Sequence, residues 1–324
     1  MAEPVIEVDG LARTFRSRKG LLRRPGKEIE AVKGVSFAVE RGELFGLLGP
    51  NGAGKTTTIK MLITLLLPTA GRARVLGHDV VKESRDVRRK VGYVFGGDRG
   101  LYERLSGLDN LRYFAELYGV PPRESKQRVA ELLELVGLTG REKERVEGYS
   151  RGMRQRLHIA RGLLHRPEVL FLDEPSIGID PVGARELRAT VKNLVETGTT
   201  VLLTTHYMFE ADELCDRIAV IAQGRIVALD TPHDLKQQVT TGTVLEIEVF
   251  GLADGLVDKV RAEPDVQSVM VDVRGQAEVL AVHARPGTDV TQTVMRHLDG
   301  SRFGRVITRE PTLEDAYIEL VNAA

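Results

Sequence analysis

The residues with the clearest capacity for chemistry are a glycine-rich run, Gly49, Pro50, Asn51, Gly52, Ala53, Gly54, Lys55, Thr56 and Thr57. An apolar stretch, Glu43-Leu-Phe-Gly-Leu-Leu48, leads into it and a helical pattern follows, so the match to G-x-x-x-x-G-K-[ST] falls in the context of a phosphate-binding loop. Glycines let successive backbone N–H groups turn inward around phosphate oxygens, and the helix that follows adds its positive N-terminal end. Lys55 is expected to pair with the β and γ phosphates of a nucleotide and Thr56 to hold Mg²⁺. The alternative, a glycine-rich turn with a solvated lysine, is disfavoured by the strand before it and the helix after it. The loop alone does not separate a kinase, a GTPase and a transport ATPase.

A second apolar run, Val169-Leu-Phe-Leu, ends in Asp173 and Glu174. Two adjacent carboxylates at a strand end can take different jobs: Asp173 is expected to complete the Mg²⁺ shell, and Glu174 to orient and deprotonate an attacking water. A pair of solvated acids at a sheet edge is the bland alternative. Against it, the run delivers the acids to the edge where open α/β sheets place their ligands.

These residues need a scaffold, and the rhythm of the chain supplies one. Short apolar runs alternate with amphipathic helical patterns through the first two-thirds, the signature of an α/β protein with a largely parallel sheet. A third run, Thr199-Thr-Val-Leu-Leu-Thr204, leads into Thr205 and His206. Between Tyr93 and Pro167 the pattern turns helical: Asp109 to Tyr118 is expected to put Leu111, Phe114 and Leu117/Tyr118 on one face, and Pro121-Pro122 opens a helix carrying Val129, Leu132, Leu133 and Val136. This reads as a helical subdomain, about 96–166, inserted into a sheet domain spanning 1–238. The remainder, 239–324, is expected to be a small α+β domain. Leu245, Ile247 and Val249 alternate with Glu246 and Glu248, and the order β-α-β-β-α-β suggests a ferredoxin-like split βαβ unit.

Composition removes other classes. Lys+Arg and Asp+Glu number 46 each among 324 residues, a zero net charge far from the basic footprint of a nucleic-acid binder. Apolar stretches such as Met61 to Leu67 fall well short of the ~20 residues that cross a bilayer. The N-terminus shows no basic stretch leading into an apolar one, so no secretory signal is expected. The single cysteine, Cys215, can form no internal disulfide, which fits a reducing compartment.

Together with Tyr149-Ser-Arg-Gly-Met-Arg-Gln155 upstream of the acid pair, the chain from 5 to about 235 resembles the nucleotide-binding subunit of an ATP-binding cassette (ABC) transporter. The resemblance implies a P-loop NTPase fold of ABC type, ATP and Mg²⁺ as ligands, and a head-to-tail dimer. In that family a Leu-Ser-Gly-Gly-Gln signature heads a helix and contacts the γ phosphate held by the other copy; Ser150 and Gly152 fall on its serine and second glycine. Tyr149, Arg151 and Met153 depart from the consensus. By the same resemblance Asp180 lies at the dimer seam, and His206 is the histidine that contacts the γ phosphate and the water. Phe15 falls where the family stacks an aromatic ring on adenine; a core position in the first hairpin is its other reading. The family's glutamine after the strand Val91-Gly-Tyr-Val-Phe95 is replaced by Gly96 or Gly97, leaving Asp98 as a candidate Mg²⁺ ligand.

The C-terminal part resembles the accessory domain of drug- and polysaccharide-export subunits, whose ending Pro311-Thr-Leu-Glu-Asp315 matches. The resemblance therefore implies an ATPase that drives a separately encoded polytopic membrane permease from the cytoplasmic face of the membrane, as a peripheral subunit with drug, lipid or polysaccharide as cargo. The rival is a non-transport ABC ATPase acting on the ribosome or DNA. A single cassette, the lack of a sustained heptad run and the neutral charge argue against it.

Overall fold

The computed structural model describes residues 4–19, 24–96, 100–239, 242–253, 255–275 and 277–322. The chain divides into two compact units at Thr231/Pro232.

The first unit is built on a six-stranded sheet in the order Arg225–Asp230, Arg217–Ala222, Leu44–Leu48, Thr200–Thr205, Val169–Asp173, Val91–Phe95. Every neighbouring pair is parallel except the first, which is antiparallel. All residues of the strands Leu44–Leu48, Val169–Asp173 and Thr200–Thr205 are buried, as a parallel sheet covered on both faces requires. That burial explains the continuous apolar runs, and it leaves polar chemistry on this sheet to the strand ends. Register pairs Leu48 with Thr205 and Asp173 with Thr204, so the phosphate loop, the acid pair and His206 emerge from one edge.

A second, antiparallel sheet runs Arg24–Val39, Ile6–Lys19, Ala70–Val75, His78–Asp79. Val8, Leu11 and Phe37 of this sheet share one core with Phe45 and Leu47 of the main sheet. Phe37 stacks on Phe45 with ring centroids 5.2 Å apart.

The helical insertion contains Gly107–Leu117, Pro122–Leu135 and Arg151–Gly162. Ser106 caps the first helix by accepting from the Asp109 N–H at 3.0 Å, and Pro122 opens the second with a ring already set to helical φ. The buried face of the first helix is Asn110, Leu111 and Ala115. Phe114 is half-buried and Leu117 and Tyr118 are exposed, so the apolar stripe expected from spacing is only partly an inward one. No helix among the described residues is long and apolar enough to cross a membrane.

In the second unit a four-stranded antiparallel sheet runs Val266–Arg274, Ala277–Ala284, Val244–Phe250, Arg302–Arg309. The helices Leu256–Arg261 and Thr291–His297 each join strands separated by one intervening strand, which is the split βαβ arrangement. Leu245, Ile247 and Val249 pack with Leu280, Val294 and Leu298 beneath those helices. The helix Pro232–Val239 packs against the last helix, Leu313–Asn322, so it belongs to this unit and the division falls ahead of the 238/239 boundary expected from sequence.

Candidate nucleotide-hydrolysis site

The phosphate loop leaves the strand Leu44–Leu48 and enters the helix Lys55–Leu62. Its glycines are required by geometry at two places. A methyl group on Gly49 would stand 2.2 Å from the Ile221 carbonyl oxygen, and Gly54 has φ 110° with the Ala31 oxygen 2.5 Å from where a Cβ would sit. Pro50, Asn51 and Gly52 are exposed at the tip, Ala53 is buried, and Thr56 and Thr57 are half-buried in the first helical turn.

Lys55 is 4% exposed, and its ammonium donates to the carbonyls of Gly49 at 2.7 Å and Pro50 at 3.1 Å. It also lies 3.0 Å from Glu174 Oε1. The other carboxylate oxygen of Glu174, Oε2, lies 3.2 Å from His206 Nδ1. Glu174 is thus set between an ammonium and an imidazole. Its backbone φ of 49° lies in the left-handed region, a conformation that costs a residue with a Cβ about 1–3 kcal/mol and persists only where the surroundings impose it.

Asp173 is 6% exposed. Its Oδ1 accepts from the Thr56 hydroxyl at 3.0 Å and from the Thr204 hydroxyl at 2.6 Å, and the Tyr93 hydroxyl lies 3.5 Å from Oδ2. Burial and the neighbouring Asp173 charge both push the Tyr93 phenol far up, so it stays a neutral donor. On the helix Met208–Leu214 after His206, burial raises the Glu210 carboxyl, opposed by the hydroxyls of Thr205 and Ser176 and the charges of Arg188 and His206. The pairing of Thr56 with Asp173 offers two hard oxygens on neighbouring elements, the donor type that Mg²⁺ selects. The residues present therefore fit a nucleotide–Mg²⁺ ligand.

The other residues singled out from sequence lie elsewhere. Ser150 is exposed at the start of Arg151–Gly162 and accepts from the Met153 N–H at 3.2 Å. Gly152 is buried where this helix meets Pro181–Glu196; a methyl group there would stand 3.3 Å from the Gly183 Cα. Asp180 caps that second helix, accepting from Val182 N–H and Gly183 N–H at 3.1 and 3.0 Å. Phe15 pairs with Ile29 across the first hairpin and is 38% exposed, with the Arg13 guanidinium 4.8 Å from its ring centre, so it is not a core side chain. Gly97 and Asp98 lie outside the described residues.

Gly96 has a reason of its own. A Cβ there would come within 2.6 Å of the Glu174 carbonyl oxygen and 2.8 Å of that of Asp173, so the strand end runs too close to the acid pair for any side chain. The signature helix reaches the same region by other routes. Gln155 Nε2 donates to the Phe95 carbonyl at 3.4 Å and Arg161 Nη1 to that of Gly100 at 2.6 Å.

Sequence reasoning missed Thr204 and Tyr93. Thr204 ends a β-branched run, where a threonine reads as strand propensity, and only the register that sets it beside Asp173 exposes its role. Tyr93 carries no signal beyond its place in an apolar strand.

Fold and site together define a P-loop nucleotide hydrolase with a helical insertion. The profile of the ABC transporter family matches residues 32–177. The linearmycin resistance ATP-binding protein LnrL of Bacillus subtilis is 41% identical over 292 residues, covering 89% of this chain and 93% of that protein. The daunorubicin resistance ATP-binding protein DrrA3 of Streptomyces coeruleorubidus is 40% identical over 322 residues, 99% of this chain and 96% of its own length. Among solved structures, the dimeric structure of MJ0796, a bacterial ABC transporter cassette, is similar with a TM-score of 0.61 at 25% identity, covering 70% of this chain and 98% of that one. The chain belongs to the ABC transporter family as an ATP-binding subunit, and it is an ATPase.

Proposed function

We propose that two copies of this chain enclose two ATP·Mg²⁺ between them and drive a separately encoded polytopic membrane permease that exports drug-like small molecules. The observation that carries the reading is the joining of Lys55, Glu174 and His206 in one contact chain at the sheet edge, directly beside the Thr56–Asp173 pair. The names of relatives, resistance proteins for linearmycin and daunorubicin and a fluoroquinolones export protein, support an export role with drugs as the cargo class.

In this reading Lys55 exchanges its loop carbonyls for the β and γ phosphate oxygens, and the loop N–H groups hold the phosphate chain. Thr56 and Asp173 would hold Mg²⁺, which supplies neutralisation of the phosphate charge when bound. Glu174 takes the proton of the attacking water, and His206 steers the Glu174 carboxylate and faces the γ phosphate. Ser150, exposed at a helix start, offers its hydroxyl and the neighbouring N–H groups, Gly152 among them, to the nucleotide held by the second copy. Asp180 sits at the seam between copies, and Phe15 stacks on the adenine ring. ATP then closes the pair because the closed state binds it better, and hydrolysis releases it. Neither membrane spanning nor nucleic acid enters this account: the chain would sit at the cytoplasmic face of the membrane through its permease.

The test is to isolate tagged Glu174→Gln protein from its own cells in native detergent with ATP·Mg²⁺ and to identify what accompanies it by mass spectrometry. A stoichiometric polytopic membrane protein is expected. Ribosomal or DNA-bound partners with no membrane protein would replace the reading with a non-transport role.

A further inference from the structure

We infer that the Thr204 hydroxyl is the positioning group that locks the two adjacent carboxylates, Asp173 and Glu174, into their separate roles; the inference rests on the roles proposed above for those acids. Successive side chains of a strand point to opposite faces, so two neighbours serve one site only if the backbone turns between them. The turn is made at Glu174, with φ 49° in the left-handed region.

What holds that turn is one residue of the adjacent strand. The Glu174 N–H is shared between the Thr204 carbonyl oxygen at 3.0 Å and the Thr204 Oγ1 at 3.1 Å. The same Oγ1 donates to Asp173 Oδ1 at 2.6 Å. A hydroxyl has one proton and two lone pairs, and here the proton goes to one acid's side chain while a lone pair goes to the other's backbone. Thr204 is fully buried, so no bulk water can substitute for it. With Thr56 also donating to Asp173 Oδ1, two hydroxyls from separate elements fix the plane of that carboxylate. Tyr93, at 3.5 Å from Oδ2, sits at the limit of a hydrogen bond and cannot take over.

Removal of the hydroxyl leaves Asp173 with one donor on Oδ1 and the Glu174 N–H with the Thr204 carbonyl alone, which weakens the hold on the turn and lets the Glu174 backbone shift toward the extended region. That relaxation would carry the Glu174 carboxylate away from Lys55 and His206. Residue types separate the functions: valine keeps the shape and loses both bonds, whereas serine keeps the bonds and loses only a methyl group.

The experiment compares Thr204→Val, Thr204→Ser, Thr204→Ala and Glu174→Gln in the full chain. Steady-state ATP turnover is measured against Mg²⁺ concentration, and nucleotide affinity is measured without Mg²⁺. Thr204→Val and Thr204→Ala are expected to lose about 10–100-fold in turnover and to need more Mg²⁺ for half-saturation, the cost typical of removing an outer-shell partner. Mg²⁺-free affinity should be unchanged in both, which shows the fold intact, and Thr204→Ser should stay near wild type. Wild-type turnover and Mg²⁺ dependence in Thr204→Val, beside a slow Glu174→Gln, would overturn the inference alone. Wild-type turnover in Glu174→Gln would instead overturn the base assignment beneath it.

Discussion

Lys55 and Glu174 meet at 3.0 Å, and their separate removal distinguishes binding from chemistry. Glu174→Gln keeps the shape of the side chain and loses its basicity, so turnover should fall by about 10²–10⁴, the range for a lost general base, while ATP binding persists. Rapid-mix hydrolysis beside equilibrium nucleotide binding checks it, and near wild-type turnover would refute the role. Lys55→Ala removes the one buried cation of the loop and should abolish tight ATP binding by the same assay. At this scale the sequence was most readable where chemistry dictates residue type and spacing. The phosphate loop and the acid pair are unmistakable as patterns because few other residues could perform their tasks. Thr204 was invisible, because the hydroxyl that ties both acids together looks like any β-branched strand residue until the register is known.

Elements decide the glycine at position 96. The strand Val91–Phe95 ends so close to the turn at Asp173–Glu174 that a methyl group would overlap two carbonyl oxygens, at 2.6 and 2.8 Å. Gly96→Ala is therefore expected to destabilise the first unit by about 1–3 kcal/mol, the usual range for overpacking, and to slow turnover by displacing Glu174. Thermal unfolding and ATPase rates measure both, and an unchanged melting temperature with full activity would show that the strand end yields. Gly96→Gln should fare no better, since the obstacle is backbone rather than a missing amide. The strands themselves were readable from sequence because double-sided burial writes a continuous apolar run. The helix Gly107–Leu117 is less legible in the sequence. Its apolar stripe follows helical spacing and buries Leu111, yet Leu117 and Tyr118 face solvent, and spacing alone cannot say which part of a stripe meets a neighbour.

For the whole molecule, the two units carry different liabilities. In the second, His283 is fully buried, and burial holds it below its ordinary pKa of 6.5, with Asp315 and Glu319 opposing the shift. Below 6.5 the unfolded chain takes up a proton that the folded unit declines until lower pH, so stability is lost as pH falls through that window. Hydrogen exchange at about pH 7.5 and about pH 5.5, corrected for intrinsic rates, should show the second unit opening more readily in acid, and His283→Gln should flatten the difference. An equal response in both proteins would assign the effect to other groups. The split βαβ order of this unit was legible from alternating strands, whereas its starting helix was not. Pro232–Val239 carries nothing in its own sequence that says it will pack on a helix some eighty residues later.

Sites shared between two copies are the centre of the proposed mechanism, and sedimentation velocity of Glu174→Gln with and without ATP·Mg²⁺ tests them most directly. A protein that binds ATP but hydrolyses it slowly should pass from monomer to dimer when ATP·Mg²⁺ is added, and a Ser150→Arg substitution in the same background should keep it monomeric. Glu174→Gln that binds ATP·Mg²⁺ tightly and still sediments as a monomer at every protein concentration would contradict the account.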